Sequence, residues 1–344
     1  MTRSTIRPDD LAYCHEAIKH GSLSFHAASK LLPKRVRDPA LALYAFCRLA
    51  DDAVDLNAEK AAAVLRLRER LELAYRGTPL DQPTDRAFAA LIEDHDMPRA
   101  LPEALLEGLA WDACEKRYET LSDVYSYSAR VASAVGAMMC VLMGVRDEYA
   151  LARACDLGVA MQLTNIARDI GEDALERRVY LPTQWLDQAG IDTETFFADP
   201  KPTKAVRAMA RKLVLDANRL YIRSEAGVAL LPREARLGIM AARLIYAGIG
   251  REVQRNGYDS ITTRAHTSKA QKIGWIAKAS AKAGATMIAP RSAVIYAKPL
   301  PEVAFLVEAA AHARPAAPFW GDGVIGILAD LKAREVEQRG LGAS

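Results

Sequence analysis

The sequence predicts an all-α protein, on three observations. Apolar residues recur at helical spacing through most of the chain between residues 11 and 286. Glycine and proline cut that pattern into helix-length pieces, at Gly21, Pro33, Gly77-Thr78-Pro79 and Pro98. No run alternates with the period of a strand between hairpin turns, and nothing repeats at solenoid spacing.

In chain order, residues 11–20 read as a short helix closed by Gly21, and residues 25–32 as a second run stopped by Pro33. The turn between them, Gly21-Ser22-Leu23-Ser24, offers N–H groups and hydroxyls. It suits a diphosphate, or equally a plain serine cap. Asp38-Pro39 places a capping residue before a proline and predicts the start of the next helix. Helices follow over 58–76, 84–94 and 102–117, where Asp112, Glu115, Lys116, Arg117 and Glu119 are expected on a solvated face. Residues 122–145 read as one long buried helix, with Gly136 allowing close packing. Further helices are expected over 148–173, 203–226, 232–256 and 270–286. The proline-rich stretch from Ala289 onward looks helical only over 324–339. Residues 1–288 are therefore read as one helical domain and 289–344 as a Pro/Ala-rich C-terminal extension.

Composition narrows the function. Of 344 residues, 51% are hydrophobic and 26% charged, with a net charge of only +3. That balance, with no basic tract interleaved with aromatics, argues against nucleic acid as a partner. Five cysteines without CxxC spacing suggest reduced thiols and a cytoplasmic location. The first ten residues carry charges and Pro8, so no signal peptide is read. The longest apolar stretch, 131–145, holds Ser133, Gly136 and Gly144 and is short for a spanning helix. Peripheral contact with a membrane stays open.

Two acidic stretches carry the chemistry. In residues 44–55 (YAFCRLADDAVD), Tyr44, Arg48, Asp51 and Asp55 fall within about 60° of one helix face. In residues 162–173 (QLTNIARDIGED), Gln162, Asn165, Asp169 and Asp173 fall within about 80° of one face. Both segments are otherwise apolar, so the carboxylates lie against buried surface, which is costly unless cations neutralise them. Hard divalent ions, Mg²⁺ or Mn²⁺, held between the two rows and bridged by a diphosphate meet that need. Arg48 and Arg168 add charge-assisted hydrogen bonds to phosphate. Gln162 and Asn165 supply neutral oxygen or amide groups. A carbocation left by a departing diphosphate needs a dry aromatic wall, for which Phe25, Tyr44 and Tyr258 are candidates. The histidines form no HExxH set, and neither GxGxxG after a strand nor GxxxxGK[ST] is present. ATP as a modulator leaves no mark in the sequence.

These motifs resemble the two signatures of the squalene/phytoene synthase family. Residues 162–182 (QLTNIARDIGEDALERRVYLP) extend the second signature, and GSLSFHAASKLLP and NGYDSITTRAH resemble its flanking blocks. The resemblance spans about residues 13–285 and is nearest in texture to bacterial phytoene synthases. It implies an isoprenoid synthase fold, with helices around a central cavity. It also implies head-to-head joining of two geranylgeranyl diphosphates, through a cyclopropylcarbinyl diphosphate, to phytoene, the first committed step of carotenoid synthesis. Asp51, Asp55, Asn165, Asp169 and Asp173 then match metal-binding positions, with Asp52 beside them. Ser22, Ser24, Tyr44, Arg48, Gln162, Arg168 and Tyr258 match positions that contact substrate. At the turn of residues 21–24 some relatives carry His and Lys, although the two hydroxyls remain here. No NADPH is expected, and a phytoene desaturase is the natural downstream partner. The alternative within the family is a squalene or dehydrosqualene synthase using farnesyl diphosphate. A non-catalytic assembly factor would have lost ligands from one motif, and both are intact.

Overall fold

Helix formation here is driven by apolar faces that have no other partner, and the longest helix has such faces nearly all round. In the computed structural model, residues 5–21, 23–55 and 60–312 are described, without the side chains of residues 20–25, 54 and 55. All regular structure in the described residues is helical. The N-terminal part is built from α1 (Pro8–Gly21), α2 (Leu23–Ser29), α3 (Lys34–Asp55), α4 (Lys60–Tyr75), α5 (Pro83–His95) and α6 (Ala100–Ala113). Then come α7 (Leu121–Ser128), a π-helical turn (Ala129–Ser133), α8 (Ala134–Leu142) and α9 (Glu148–Leu175). Short α10 (Thr183–Gln188) and α11 (Thr193–Ala198) lead into α12 (Lys204–Gly227), α13 (Arg233–Arg255), α14 (Lys269–Ala285) and α15 (Ala304–Ala311). No helix among the described residues is long and apolar enough to cross a membrane. All five cysteines are free.

Local signals account for many of the boundaries. Asp147 caps α9 by accepting from the Ala150 N–H at 2.9 Å. Reciprocal capping boxes open α7 (Thr120 and Asp123) and α14 (Ser268 and Gln271). α9 is surrounded by α8, α12, α13, α15 and the π turn, so its burial runs from Ala150 to Ala174. α3 packs instead on α1, α4, α5 and α6, with Phe46 stacked on Phe88 at 3.8 Å. The two acidic helices thus belong to different packing groups, with α6 and α8 between them.

The structure departs from expectation in three places. The first acidic helix starts at Lys34, not at Asp38-Pro39. The Val36 and Arg37 N–H groups bond the Pro33 carbonyl, and Pro39 lies inside the helix. Pro39 removes one hydrogen bond, which leaves the Arg35 carbonyl without its usual donor. Burial of Val36, Leu41, Ala42, Leu43, Ala45, Phe46 and Ala50 along one side holds the segment helical all the same. The expected single helix over 122–145 is broken by the π turn. A Cβ on Gly158 would fall 2.5 Å from Ser133 Cα, and one on Gly108 2.6 Å from Val131 Cγ1. The widened turn is therefore wedged between α6 and α9, and Ser133 Oγ donates to the Cys155 carbonyl at 2.7 Å. Finally, the proline-rich stretch contains a helix not anticipated, α15, while residues 324–339 lie outside the described residues.

Residues 293–311 join the same core. Val303 and Leu306 are fully buried. The buried Arg153 guanidinium donates to the carbonyls of Val294, Ile295 and Ala297 at 2.8, 3.0 and 2.9 Å. Its Nε meets Asp156 Oδ2 at 2.6 Å, and Arg223 reaches the same oxygen at 2.9 Å. Arg153→Ala would take a donor from three carbonyls and from a buried carboxylate. We expect it to lower unfolding free energy by about 3 kcal/mol, measured by urea denaturation.

Candidate active site

The first acidic row is the part of α3 that its packing leaves over. Leu41, Leu43, Ala45, Phe46 and Ala50 are buried, whereas Arg48, Asp51 and Asp52 are 44%, 47% and 37% exposed. Arg48 Nη1 donates to Asp51 Oδ2 at 3.3 Å, and its other terminal nitrogen pairs with Asp52. Tyr44 is half-buried on the same face. Burial pushes its hydroxyl pKa up, Arg48 opposes the rise, and Asp51 and Asp52 add to it. Asp55 continues the helix, but its carboxylate lies outside the described residues, as do Ser22 and the side chains of Ser24 and Phe25.

The second row runs along α9. Leu163, Ile166, Ala167 and Ile170 are buried, while Gln162, Asn165, Asp169 and Asp173 are partly open. Asn165 Nδ2 donates to Gln162 Oε1 at a long 3.5 Å. Arg168 forks onto both oxygens of Asp169, with Nε at 2.7 Å from Oδ1. Arg264 reaches the same Oδ1 at 3.0 Å and Glu172 at 3.1 Å. Burial pushes the Asp173 carboxyl pKa from 3.8 to about 8. Asp169 adds to the rise and Arg178 opposes it.

Gly171 explains how Arg264 arrives there. A Cβ at Gly171 would fall 2.7 Å from the Ser260 carbonyl oxygen and 2.9 Å from Ile261 Cα. Without one, the Gly171 N–H also donates to that carbonyl at 2.9 Å. Asp259 shapes the loop by accepting from the N–H groups of Ile261 and Thr262 and from Arg207. Tyr258, in the left-handed region at φ 59°, packs against the core at the head of this loop.

Asp112 ties the two rows together, and sequence reasoning missed it. It had been expected on a solvated face; instead it sits half-buried at the end of α6. Its Oδ1 accepts from the Tyr180 hydroxyl at 2.8 Å and its Oδ2 from the Tyr127 hydroxyl at 2.9 Å. Burial raises its pKa from 3.8 to about 7 against those hydrogen bonds and Arg178, and the charge of Asp51 contributes. Asp112 in turn acts on Asp173. Asp112 is thus within electrostatic reach of both rows. The available signal was that α6 is apolar on almost every side, so an acid within it has little water to face. Tyr118, Tyr127 and Tyr180 cluster with ring centroids 5.0 to 6.1 Å apart. Beside them, Ile166, Ile170, Asp173, Arg178, Tyr180 and Leu181 line a narrow recess.

Two outcomes follow from this geometry. Gly171→Ala must displace the 260–261 backbone and with it Arg264; kcat/KM is expected to fall by about 100-fold, read in steady-state assays. Between 3.8 and about 8, folded Asp173 keeps a proton that the unfolded chain has released. Stability without divalent ions should therefore fall as pH rises through that window. Asp173→Asn should flatten the slope, measured by thermal midpoints across pH.

Comparison with known proteins supports one assignment. The squalene/phytoene synthase family model matches residues 18–271. The phytoene synthase of Rhodobacter capsulatus is 58% identical, covering 95% of this chain and 97% of its own length. That of Cereibacter sphaeroides is 56% identical, covering 97% of each. Among solved structures, a dehydrosqualene synthase in complex with ligand has a TM-score of 0.72 at 30% identity, covering 79% of this chain and 96% of its own. The squalene synthase HpnC from Alicyclobacillus acidocaldarius has a TM-score of 0.66 at 26% identity, covering 73% and 95%. With the fold, both signatures and near-full-length relatives in agreement, this chain belongs to the squalene/phytoene synthase family.

Proposed function

We propose that this protein is a phytoene synthase, joining two geranylgeranyl diphosphates head to head and releasing two diphosphates. The observation that carries the substrate is the 58% identity to a phytoene synthase over 95% of the chain. The geometry supports the chemistry. Arg48, Arg168 and Arg264 stand along the acidic rows with guanidinium groups that suit phosphate oxygens.

Whether the rows suit divalent cations is answered by their donors. Among the described residues, no three acidic, His or Cys side chains converge into a preformed cage. Mg²⁺ does not need one, because one or two carboxylates with water and substrate phosphate oxygens complete its shell. Burial raises the pKa values of Asp112 and Asp173, and a cation placed beside them would favour their ionised forms. The residues therefore fit. Asp51, Asp52 and Asp55 on α3, and Asn165, Asp169 and Asp173 on α9, would hold Mg²⁺ or Mn²⁺. A bound divalent ion supplies Lewis-acid stabilisation of the departing diphosphate.

The remaining roles belong to the chain's own groups. Buried Ile166, Ile170 and Leu181 give the recess beside Asp173 an apolar wall, which would keep water from a carbon reacting there. Tyr127 and Tyr180 commit their hydroxyl protons to Asp112, so each phenolic oxygen turns lone pairs, not an acidic proton, to its surroundings. Together with the ring faces, that arrangement favours a cation without quenching it.

Incubation with geranylgeranyl diphosphate and Mg²⁺ or Mn²⁺, followed by chromatography of the hydrocarbon, should give phytoene without NADPH. Squalene from farnesyl diphosphate with NADPH, and no product from geranylgeranyl diphosphate, would overturn the assignment. Asp51→Asn and Asp169→Asn should each lower kcat/KM by roughly 100-fold or more; near-wild-type activity in both would remove the carboxylate rows from the mechanism.

A further inference from the structure

α14 has one face with a partner and one without. Inward, Trp275 lies where a Cβ on Gly248 would be, and Ala279 is buried against Val228, Met240, Ala241 and Leu244. Ala279 is the helix's only buried residue. Outward, Ala270, Ile273, Ala277 and Ala281 fall within about 80° of one another and are exposed. Ile273 is 68% exposed; Met287 and Ile288, just past the helix end, are 61% and 90% exposed. Exposed Lys269 and Lys278 flank this apolar face on either side.

Charge around it has one sign. No Asp or Glu occurs between Asp259 and Glu302, whereas Arg264, Lys269, Lys272, Lys278, Lys282 and Arg291 all do. In a chain whose acids and bases otherwise nearly balance, this is its most one-sided segment. Large apolar side chains rimmed by lysines suit the boundary of an anionic bilayer. The apolar groups enter the acyl region there, and the ammonium groups meet the headgroups.

From these observations we infer that the outer face of α14, with Met287 and Ile288, docks the protein on an anionic membrane surface. The charge complementarity selects a lipid surface bearing negative headgroups over a neutral one. The position of the face gives the docking a consequence. Five residues before α14, Arg264 is bonded to Asp169 in the second acidic row. The docked helix therefore follows directly on the segment that carries Arg264 to the second acidic row.

The full-length protein should be sedimented with vesicles of phosphatidylcholine alone and of phosphatidylcholine mixed with phosphatidylglycerol. Binding is expected to the mixed vesicles, and to weaken with salt. Ile273→Ser with Ile288→Ser, and separately Lys269→Glu with Lys278→Glu, should each lower the partition coefficient by about tenfold or more. Neither pair lies in the site, so thermal midpoints and turnover of detergent-dispersed substrate should match wild type. Equal binding to both vesicle types, or variants that bind like wild type, would overturn the inference. So would loss of a dimer in the variants with vesicle binding unchanged, which would assign the face to a second copy of the chain. None of these readouts depends on which hydrocarbon the enzyme makes.

Discussion

Too much negative charge in too little water is the constraint that organises this molecule. Carboxylates from α3, α6 and α9 share one partly buried space, and they are close enough that Asp51 acts on Asp112 and Asp112 on Asp173. Like charges in a poorly solvated space repel strongly, and the protein answers with arginine. Arg48 holds Asp51 and Asp52; Arg168 and Arg264 hold Asp169. Where burial outweighs the nearby Arg178, at Asp112 and Asp173, the carboxyls keep their protons to higher pH.

That same imbalance makes the site receptive. A diphosphate brings more negative charge and therefore requires compensating cations with it. The arginines that pair with these carboxylates are of the type that pairs bidentately with phosphate. Charge compensation and substrate recognition are then one property of the site. The tyrosines beside Asp112 would serve the other half of the proposed chemistry. Tyr180 lines the recess with aromatic surface, and the hydroxyl protons of Tyr127 and Tyr180 are already engaged.

The scaffold holds the carboxylates at this spacing through close backbone approaches. The π turn is pressed between Gly108 and Gly158, which fixes α6, and with it Asp112, relative to α9. Gly171 admits the loop that delivers Arg264. On the far side of α9, Arg153 stitches residues 294–297 into the core with three carbonyl bonds. Each of these contacts would be lost to a single added methyl group or a single truncated side chain, so the fold and the geometry of the site are specified together.

Helical periodicity and glycine–proline punctuation carried the all-α class, the positions of α4, α5, α9, α12, α13 and α14, and both acidic rows. These are local properties: a face of one helix is written in the spacing of its own residues. The helix start at Lys34 was not legible, because burial of Val36 and its neighbours overrides the local cap signal at Asp38-Pro39. The π turn was not legible either, since its cause is a close approach by glycines from two other helices. Asp112 looked like a surface acid until α7, α9 and the 178–181 loop closed around it. Its role depends on Tyr127 and Tyr180, which lie 15 and 68 residues away in sequence. The sequence by itself determined which residues carry charge and on which helix face. Only the tertiary structure decided which of those charges share a space, because electrostatic coupling depends on through-space distance and solvent exclusion, and neither follows from position along the chain.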